Sequence, residues 1–477
     1  MSSSSRVRAS SVGPTTEPAR KASVRAVPAT PAGQVAPIAY PAYNDPICAA
    51  LFLLSFVAAA GVDWKIFTAF PRALSTWSSY NTLAERFIQG LFAHGLVMLQ
   101  PLVIALAMVG GLCGLLVIAP ETVVWSTLGL SGLLAVGSAV TAAHLTEAVD
   151  AGTELVLILC VAAAAVFYFN ELRKLVRTAA ASLALGARTL LANPSIITLH
   201  LALLVAWGAW GCVSADAIQR AVARNFADGG YTPEDLLHLS TNWESALLAL
   251  QLCLVTGAMT ALCAMVTARL AAARFFGFQA QYPLGAFSAF PAVATHALGT
   301  ASWSGGAEIV LERAGAAAAN LPLPAAIKDA CKAVNYLTCI VAGVTCKPYW
   351  AAGAEAVEMA ASSPVTLALT AAVSWRITRL CMFTVALALL GWYQLVSLQG
   401  GDELMALLVG LLVTYLAMDA LHTATVASLV CYKEQSAADR KALKGSEEAL
   451  RVRGEVERDI DAILDGVEEL HSGGKTA

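Results

Sequence analysis

The chain has 477 residues, of which 58% are hydrophobic and only 13% are charged, whereas an average soluble domain carries about 25% charged residues. Its formal net charge of -3 provides no basic field for binding nucleic acid. Apolar residues recur in blocks of about twenty, which is the length that a helix needs to cross a bilayer. The composition therefore predicts an all-α, polytopic transmembrane helix bundle and excludes an ordinary soluble enzyme.

Residues 1–45 are rich in Ser, Ala, Pro and Arg, so they are predicted to form a disordered, basic cytosolic leader. Because the first apolar run begins only near Ile47, the first helix is interpreted as a retained anchor and not as a cleaved signal. The transmembrane domain is expected over 46–432. About ten spans are predicted within it, near 46–64, 94–118, 122–144, 154–170, 195–214, 243–266, 285–311, 334–353, 365–396 and 404–431.

Spans seven and eight contain residues that weaken a helix: Pro291, Gly299, Gly305, Gly306 and Pro348. Interrupted helices at membrane depth are tolerated where protein or a water-filled cavity satisfies the backbone. We therefore expect both spans to be interrupted, and we expect the seventh to open onto a cavity at its glycines.

The distribution of Lys and Arg predicts which side each loop faces. A basic leader and an even number of spans place both termini in the cytosol. Arg313, Lys328 and Lys332 would then face outside, so either a span near them is re-entrant or the bias fails locally. The chain is expected to be an integral protein of the plasma membrane or an endomembrane.

The C-terminal segment, 433–477, alternates charges densely and places apolar residues at helical spacing. It is predicted to form a cytosolic amphipathic helix that lies on membrane lipids or docks on a cytosolic partner, with a solvated tail as the alternative. The apolar positions are Leu443, Leu450, Val456, Ile460, Ile463, Val467 and Leu470.

Several chemical signatures are missing from the sequence. It has no Gly-rich phosphate loop ending in Lys-Ser/Thr, no His-Glu-x-x-His and no Gly-x-Ser-x-Gly, which are the signatures of ATP binding, zinc peptidases and serine hydrolases. Its eleven cysteines are scattered without a Cys-x-x-Cys pair. We therefore predict no enzyme activity, no cofactor and no metal site.

Ionisable residues inside spans are costly and are functional candidates by default. Glu308 lies in the seventh predicted span, and Asp419 and His422 lie in the tenth. Asp419 and His422 are three residues apart on one helix face, so they are expected to pair with each other or with Arg376 or Arg379 of span nine. A structural ion pair is the alternative to a binding role.

Two tryptophans, Trp207 and Trp303, fall deeper in the predicted spans than the membrane interface. Aromatic faces at that depth can surround a quaternary ammonium group through cation–π attraction, worth about 2 kcal/mol when desolvated. Ordinary helix packing is the alternative for each of them.

Three segments carry a family resemblance. The run Leu298-Gly299-Thr300-Ala301-Ser302-Trp303-Ser304-Gly305 resembles the Leu-Gly-Ser-x-x-Phe-Gly-Ser segment of choline transporter-like proteins, which include the fungal Pns-type members. Asn335, followed by an apolar run to Lys347 and Tyr349, resembles that family's Phe-Asn-Arg-x-Ala-Tyr run ending in Gly-Lys-x-Phe-Cys. The close of the last span, Val430-Cys431-Tyr432-Lys433-Glu434, resembles its Leu-Cys-Phe-x-Glu-Asp.

The resemblance covers 46–435 and has departures. Cys346 stands where the family has glycine, and Tyr349-Trp350 stands where it has Phe-Cys. Val426 and Ala427 occupy the region in which the family usually carries an acid. The chain is thus similar to a divergent member of this family.

The resemblance implies ATP-independent transport of choline or a related small organic cation. In that reading Gly299, Gly305 and Gly306 allow close helix approach and local unwinding, Trp207 and Trp303 face the ammonium group, and Glu308 or Asp419 balances its charge. A non-transporting membrane scaffold or lipid-organising protein is the alternative function. A closely packed bundle without a polar midplane cavity would favour that alternative.

Overall fold

A computed structural model provides the structure of the chain. It describes residues 44–63, 95–130, 132, 169–225, 243–317, 322–362, 364–396 and 402–434. The part of the chain in these ranges is almost entirely helical and contains no strand, which confirms the predicted all-α class. The leader up to residue 43, most of predicted spans three and four, and the tail from residue 435 lie outside the described residues.

Ten helices carry labels here, numbered in chain order; residues 120–130 are also helical. The labelled helices are α1 (Pro46–Val62), α2 (Gly95–Ile118), α3 (Phe169–Ala192), α4 (Ser195–Asn225), α5 (Trp243–Phe275), α6 (Ala286–Ala317), α7 (Pro322–Thr345), α8 (Tyr349–Ser362), α9 (Pro364–Val396) and α10 (Asp402–Glu434).

Within the described ranges, five helices are long and apolar enough to cross a membrane, and the shorter α1 is also apolar. The five segments do not include α6 and α7, where we predicted spans seven and eight. Both helices exist, but α6 is rich in Ala, Gly, Ser and Thr and α7 contains Lys328, Asp329 and Lys332, so their composition is less apolar. The five segments are Gln100–Ile118, Ser195–Ala221, Trp243–Phe275, Thr370–Trp392 and Leu407–Cys431.

The expected interruption of the seventh span is wrong, because α6 is helical from Ala286 to Ala317. Its glycines instead permit a close crossing with α5. A Cβ atom added to Gly257 of α5 would lie 2.4 Å from Gly305 Cα. Small residues at helix contacts let two backbones approach each other in this way, so Gly305 serves packing and does not break the helix.

The helix break in this region lies at the end of α7, over 346–348, before α8 begins at Tyr349. Cys346 adopts a left-handed conformation with φ 59°, which β-carbon-bearing residues seldom adopt. Its carbonyl oxygen accepts a 3.2 Å hydrogen bond from Asn44 Nδ2. Asn44 belongs to the predicted leader, so the bundle begins earlier in the chain than we expected.

Arg269, near the end of α5, is a buried cation that ties three segments together. Its Nε donates a 2.8 Å hydrogen bond to the Tyr282 hydroxyl, and its Nη1 lies 3.1 Å from Cys346 Sγ. The guanidinium carbon also lies 5.0 Å from the centre of the Phe278 ring, within the range of a cation–π contact. Arg269 therefore holds the end of α7 against α5.

The sequence did not reveal that α3 is a central helix. The predicted spans leave 171–194, which contains Arg173, Lys174, Arg177 and Arg188, as a connection between spans four and five. In the structure all residues from 178 to 187 are buried, and α3 packs against α2, α9 and α10. Small side chains allow neighbours on every side; a Cβ atom on Gly186 would lie 2.4 Å from Thr425 Oγ1 of α10.

Candidate functional site

Asp419 lies near the middle of α10, about 25 Å from the first residue of that helix at 1.5 Å per residue. The segment around it, Leu407–Cys431, is one of the five that can cross a membrane. No hydrogen bond or ion pair to the Asp419 carboxylate occurs within the described part of the chain. A carboxylate without a partner at that depth is costly, so it requires an explanation.

The side chains around this carboxylate come from α9 and α10. Tyr415 precedes Asp419 by one helical turn and His422 follows by one turn, so all three share a face. From α9, the Trp375 ring lies 5.8 Å from the His422 ring. The lining residues are Trp375, Thr378, Tyr415, Asp419 and His422.

His422 is fixed by its neighbours. Its Nδ1 is hydrogen-bonded to Ser374 of α9, and its ring is stacked on Tyr336 of α7 at 5.5 Å. The Tyr336 hydroxyl is in turn hydrogen-bonded to Thr423 Oγ1 at 2.6 Å. Three helices thus hold the imidazole in one orientation, and its ring forms a wall of the pocket with the Asp419 carboxylate.

The cleft between the five lining residues is too narrow for a water molecule in this conformation. Trp375 and Tyr415 are each about two-fifths exposed, at 40% and 39%, so the pocket lies at the surface of the described bundle. Aromatic faces combined with a single carboxylate form the arrangement that attracts an organic cation. Neither Asp419 nor His422 belongs to a group that could hold a metal ion among the described residues.

The other predicted site residues do not line this pocket. Trp207 of α4 donates its indole N–H to Thr256 Oγ1 of α5 at 2.8 Å, which is a helix-packing contact. Asp419 also lacks the predicted ion pair with span nine, since Arg376 and Arg379 are exposed and form no salt bridge within the described ranges.

Replacement of Trp207 by Phe is expected to lower the free energy of unfolding by about 1 kcal/mol, because the indole N–H bond to Thr256 is lost while the apolar contacts and the bond from the Thr256 hydroxyl to the Leu252 carbonyl remain. Ligand affinity should not change, since Trp207 lies away from Asp419. Thermal unfolding of the detergent-solubilised protein measures the first effect and ligand titration the second. A large loss of affinity with unchanged stability would instead return Trp207 to the binding site.

Trp303 is part of a separate aromatic cluster at the start of α8. Its ring stacks on Tyr349 at 6.0 Å and meets Trp350 edge-on at 5.4 Å. Ser304, the next residue, accepts a hydrogen bond from Asn335 Nδ2 through its carbonyl oxygen at 3.2 Å. The residues that carry the first two segments of the family resemblance therefore meet at a junction of α6, α7 and α8.

Gly299 lies at another close contact of this junction. A Cβ atom at Gly299 would lie 2.0 Å from the Asp45 carbonyl oxygen, so only glycine lets the backbone before α1 cross α6. The Asp45 carboxylate accepts hydrogen bonds from Thr300 Oγ1 at 2.7 Å and from the Tyr349 backbone N–H at 2.8 Å. Gly299 is thus a packing residue, and the predicted unwinding at this position is wrong.

Glu308 is exposed on α6 and does not line the pocket around Asp419. Of the five predicted binding residues, Asp419 alone belongs to the candidate site. Trp375, Tyr415 and Tyr336 were missed, because an aromatic residue in a span is equally consistent with packing or with the interface. In the sequence, the one indication of this pocket was the helical spacing of Tyr415, Asp419 and His422, which places the three on one helix face.

The fold and this site define a helical membrane protein with a carboxylate inside one of its spans. The comparisons with known proteins add no relative, since no family model and no curated protein matches the chain.

Proposed function

We propose that this protein binds and transports a small organic cation, such as choline, without ATP. The Asp419 carboxylate balances the charge of the cation, and Trp375 and Tyr415 contact its methyl groups. The single observation that carries the proposal is the Asp419 carboxylate, which lies at the middle of an apolar helix, has no partner in the described ranges and faces aromatic rings. A bound cation would supply the missing charge.

The finer topology belongs to the same proposal. About ten spans, cytosolic termini and a place in the choline transporter-like family rest on the apolar pattern and the three similar segments. The break at 346–348 lets α8 pack back against α7, and a Cβ atom at Gly353 of α8 would lie 3.6 Å from Thr338 Oγ1 of α7.

Movement of α9 against α10 would open the closed pocket, because the two helices provide all five lining residues.

The test is uptake of radiolabelled choline into proteoliposomes that contain the purified full chain. Uptake above that of protein-free liposomes, saturable by unlabelled choline, is expected. Counts equal to those of protein-free liposomes, with a choline gradient imposed in either direction, would remove the transport proposal.

Two observations favour the alternative, a membrane scaffold or lipid-organising protein. The backbones of α5 and α6 are in direct contact at Gly257 and Gly305, and the pocket does not admit water in this conformation. A scaffold without a cation site would bind no choline, so equilibrium binding of labelled choline to the detergent-solubilised protein distinguishes it from a transporter that is merely slow in liposomes.

A further inference from the structure

Two arginines flank the candidate pocket on α9. Arg376 follows the lining residue Trp375, and Arg379 follows the lining residue Thr378. Both arginines are exposed. Neither has a hydrogen bond or an ion pair within the ranges that the structure describes. Among the described residues, the pocket therefore has a carboxylate inside it and two arginines without a partner beside it.

The position of these arginines along α9 makes them costly. Both lie inside Thr370–Trp392, the segment of α9 that can cross a membrane. Exposed arginines within a span are rare, because the charge must be paired with an anion or reach water. The guanidinium group is suited to phosphate, to which it donates two parallel hydrogen bonds. An anionic group is thus expected at this surface.

The arginines and the pocket share one surface. Arg379 lies one helical turn after Trp375, so the two side chains project from the same face of α9. Trp375 itself is 40% exposed and connects that face to the pocket that contains Asp419. A ligand whose cationic end enters the pocket would present its other end to Arg376 and Arg379.

We propose that the ligand of this site is a zwitterion, in which a quaternary ammonium group is joined by a short linker to a phosphate ester. The ammonium group lies between Asp419, Trp375 and Tyr415, and the phosphate is bound by Arg376 and Arg379. This inference rests on the proposed function, since it takes the same pocket as the cation site. The same chemistry occurs in free phosphocholine and in the headgroup of a choline phospholipid.

The experiment compares the affinities of choline and phosphocholine by isothermal titration calorimetry. The full chain is solubilised in a maltoside detergent, because phosphocholine detergents would compete for the site. Phosphocholine is expected to bind at least about tenfold more tightly than choline, as charge-assisted hydrogen bonds to phosphate are added. In the double variant Arg376→Gln/Arg379→Gln, phosphocholine should lose its advantage over choline, because its phosphate has lost both guanidinium partners.

The controls separate this inference from the proposed function. Arg173→Gln removes an exposed arginine of α3 and should preserve the preference for phosphocholine, and Arg376→Lys/Arg379→Lys should retain only part of it. Choline binding without any advantage for phosphocholine, or an advantage that survives in the double Gln variant, overturns the zwitterion and leaves the cation site intact. If the wild-type protein binds no choline, both the zwitterion inference and the proposed function are overturned.

A competition arm distinguishes the two sources of the headgroup. Short-chain phosphatidylcholine and phosphatidylglycerol, both below their critical micelle concentrations, are titrated against bound phosphocholine. Displacement by phosphatidylcholine alone assigns the site to a lipid headgroup, whereas displacement by neither assigns it to a free phosphate ester; both results support the zwitterion. Equal displacement by the two lipids contradicts it, because phosphatidylglycerol has no ammonium group.

Discussion

Choline transport by Asp419→Asn protein is expected to fall by at least about thirtyfold, which corresponds to about 2 kcal/mol of lost binding energy. Asn has the same shape as Asp, so the packing of α10 is preserved while the negative charge is removed. The cation would then enter a low-dielectric pocket without a counter-charge. Initial rates of labelled choline uptake into proteoliposomes measure the effect.

Glu308→Gln is the matched control for this substitution. It also neutralises a carboxylate in a predicted span, but Glu308 is exposed on α6 and lies outside the pocket. Its uptake should equal that of the wild-type protein. Gel filtration and thermal unfolding establish that both variants fold. If a folded Asp419→Asn variant transports choline at the wild-type rate, Asp419 does not balance the charge of the substrate.

Gly299→Ala is expected to destabilise the protein by about 3 kcal/mol, in the upper part of the range for overpacked sites. The new Cβ atom would meet the backbone oxygen of Asp45 at 2.0 Å and that of Asn44 at 2.6 Å. Backbone atoms cannot rotate away as a side chain can, so the segment before α1 would have to move. Its hydrogen bonds to Thr300 and Tyr349 would weaken with it.

Gly306→Ala provides the comparison on the same helix. A Cβ atom at Gly306 has Leu254 Cδ2 as its nearest neighbour, at 3.9 Å, which is ordinary van der Waals contact. Alanine also stabilises a helix interior relative to glycine by about 1 kcal/mol, so this variant should be as stable as the wild-type protein or slightly more stable. Chemical denaturation in mixed micelles measures both variants. Equal stability of the two would contradict the close backbone crossing at Gly299.

Sequence reasoning identified Asp419 because an acid within an apolar run is conspicuous without any knowledge of the fold. It also placed His422 on the same face, since residues three apart on a helix are neighbours. It could not assign Trp375 or Tyr336, which come from α9 and α7 and reach the site only when the helices pack. It grouped Trp207 and Trp303 because both lie deep in their predicted spans. Depth along a span does not show how far apart two side chains on different helices are.

The glycines of α6 show the same limit. Glycine lowers the helical preference of a segment, so Gly299 and Gly305 suggested a broken helix. In the packed bundle they occupy the points at which backbone from the start of α1 and from α5 crosses α6. Whether these glycines break the helix or permit a crossing depends on segments that pack against α6 from elsewhere in the chain, and no local sequence pattern contains that information.

Composition alone determined that this is a helical membrane protein, because the length and apolarity of a helix are local properties that a bilayer selects directly. Tertiary structure alone determined that Asp419 shares a pocket with Trp375 and that residues 178–187 of α3 are buried within the bundle. These features depend on which faces of separate helices meet, and that choice is made by side-chain volumes and hydrogen bonds between distant segments.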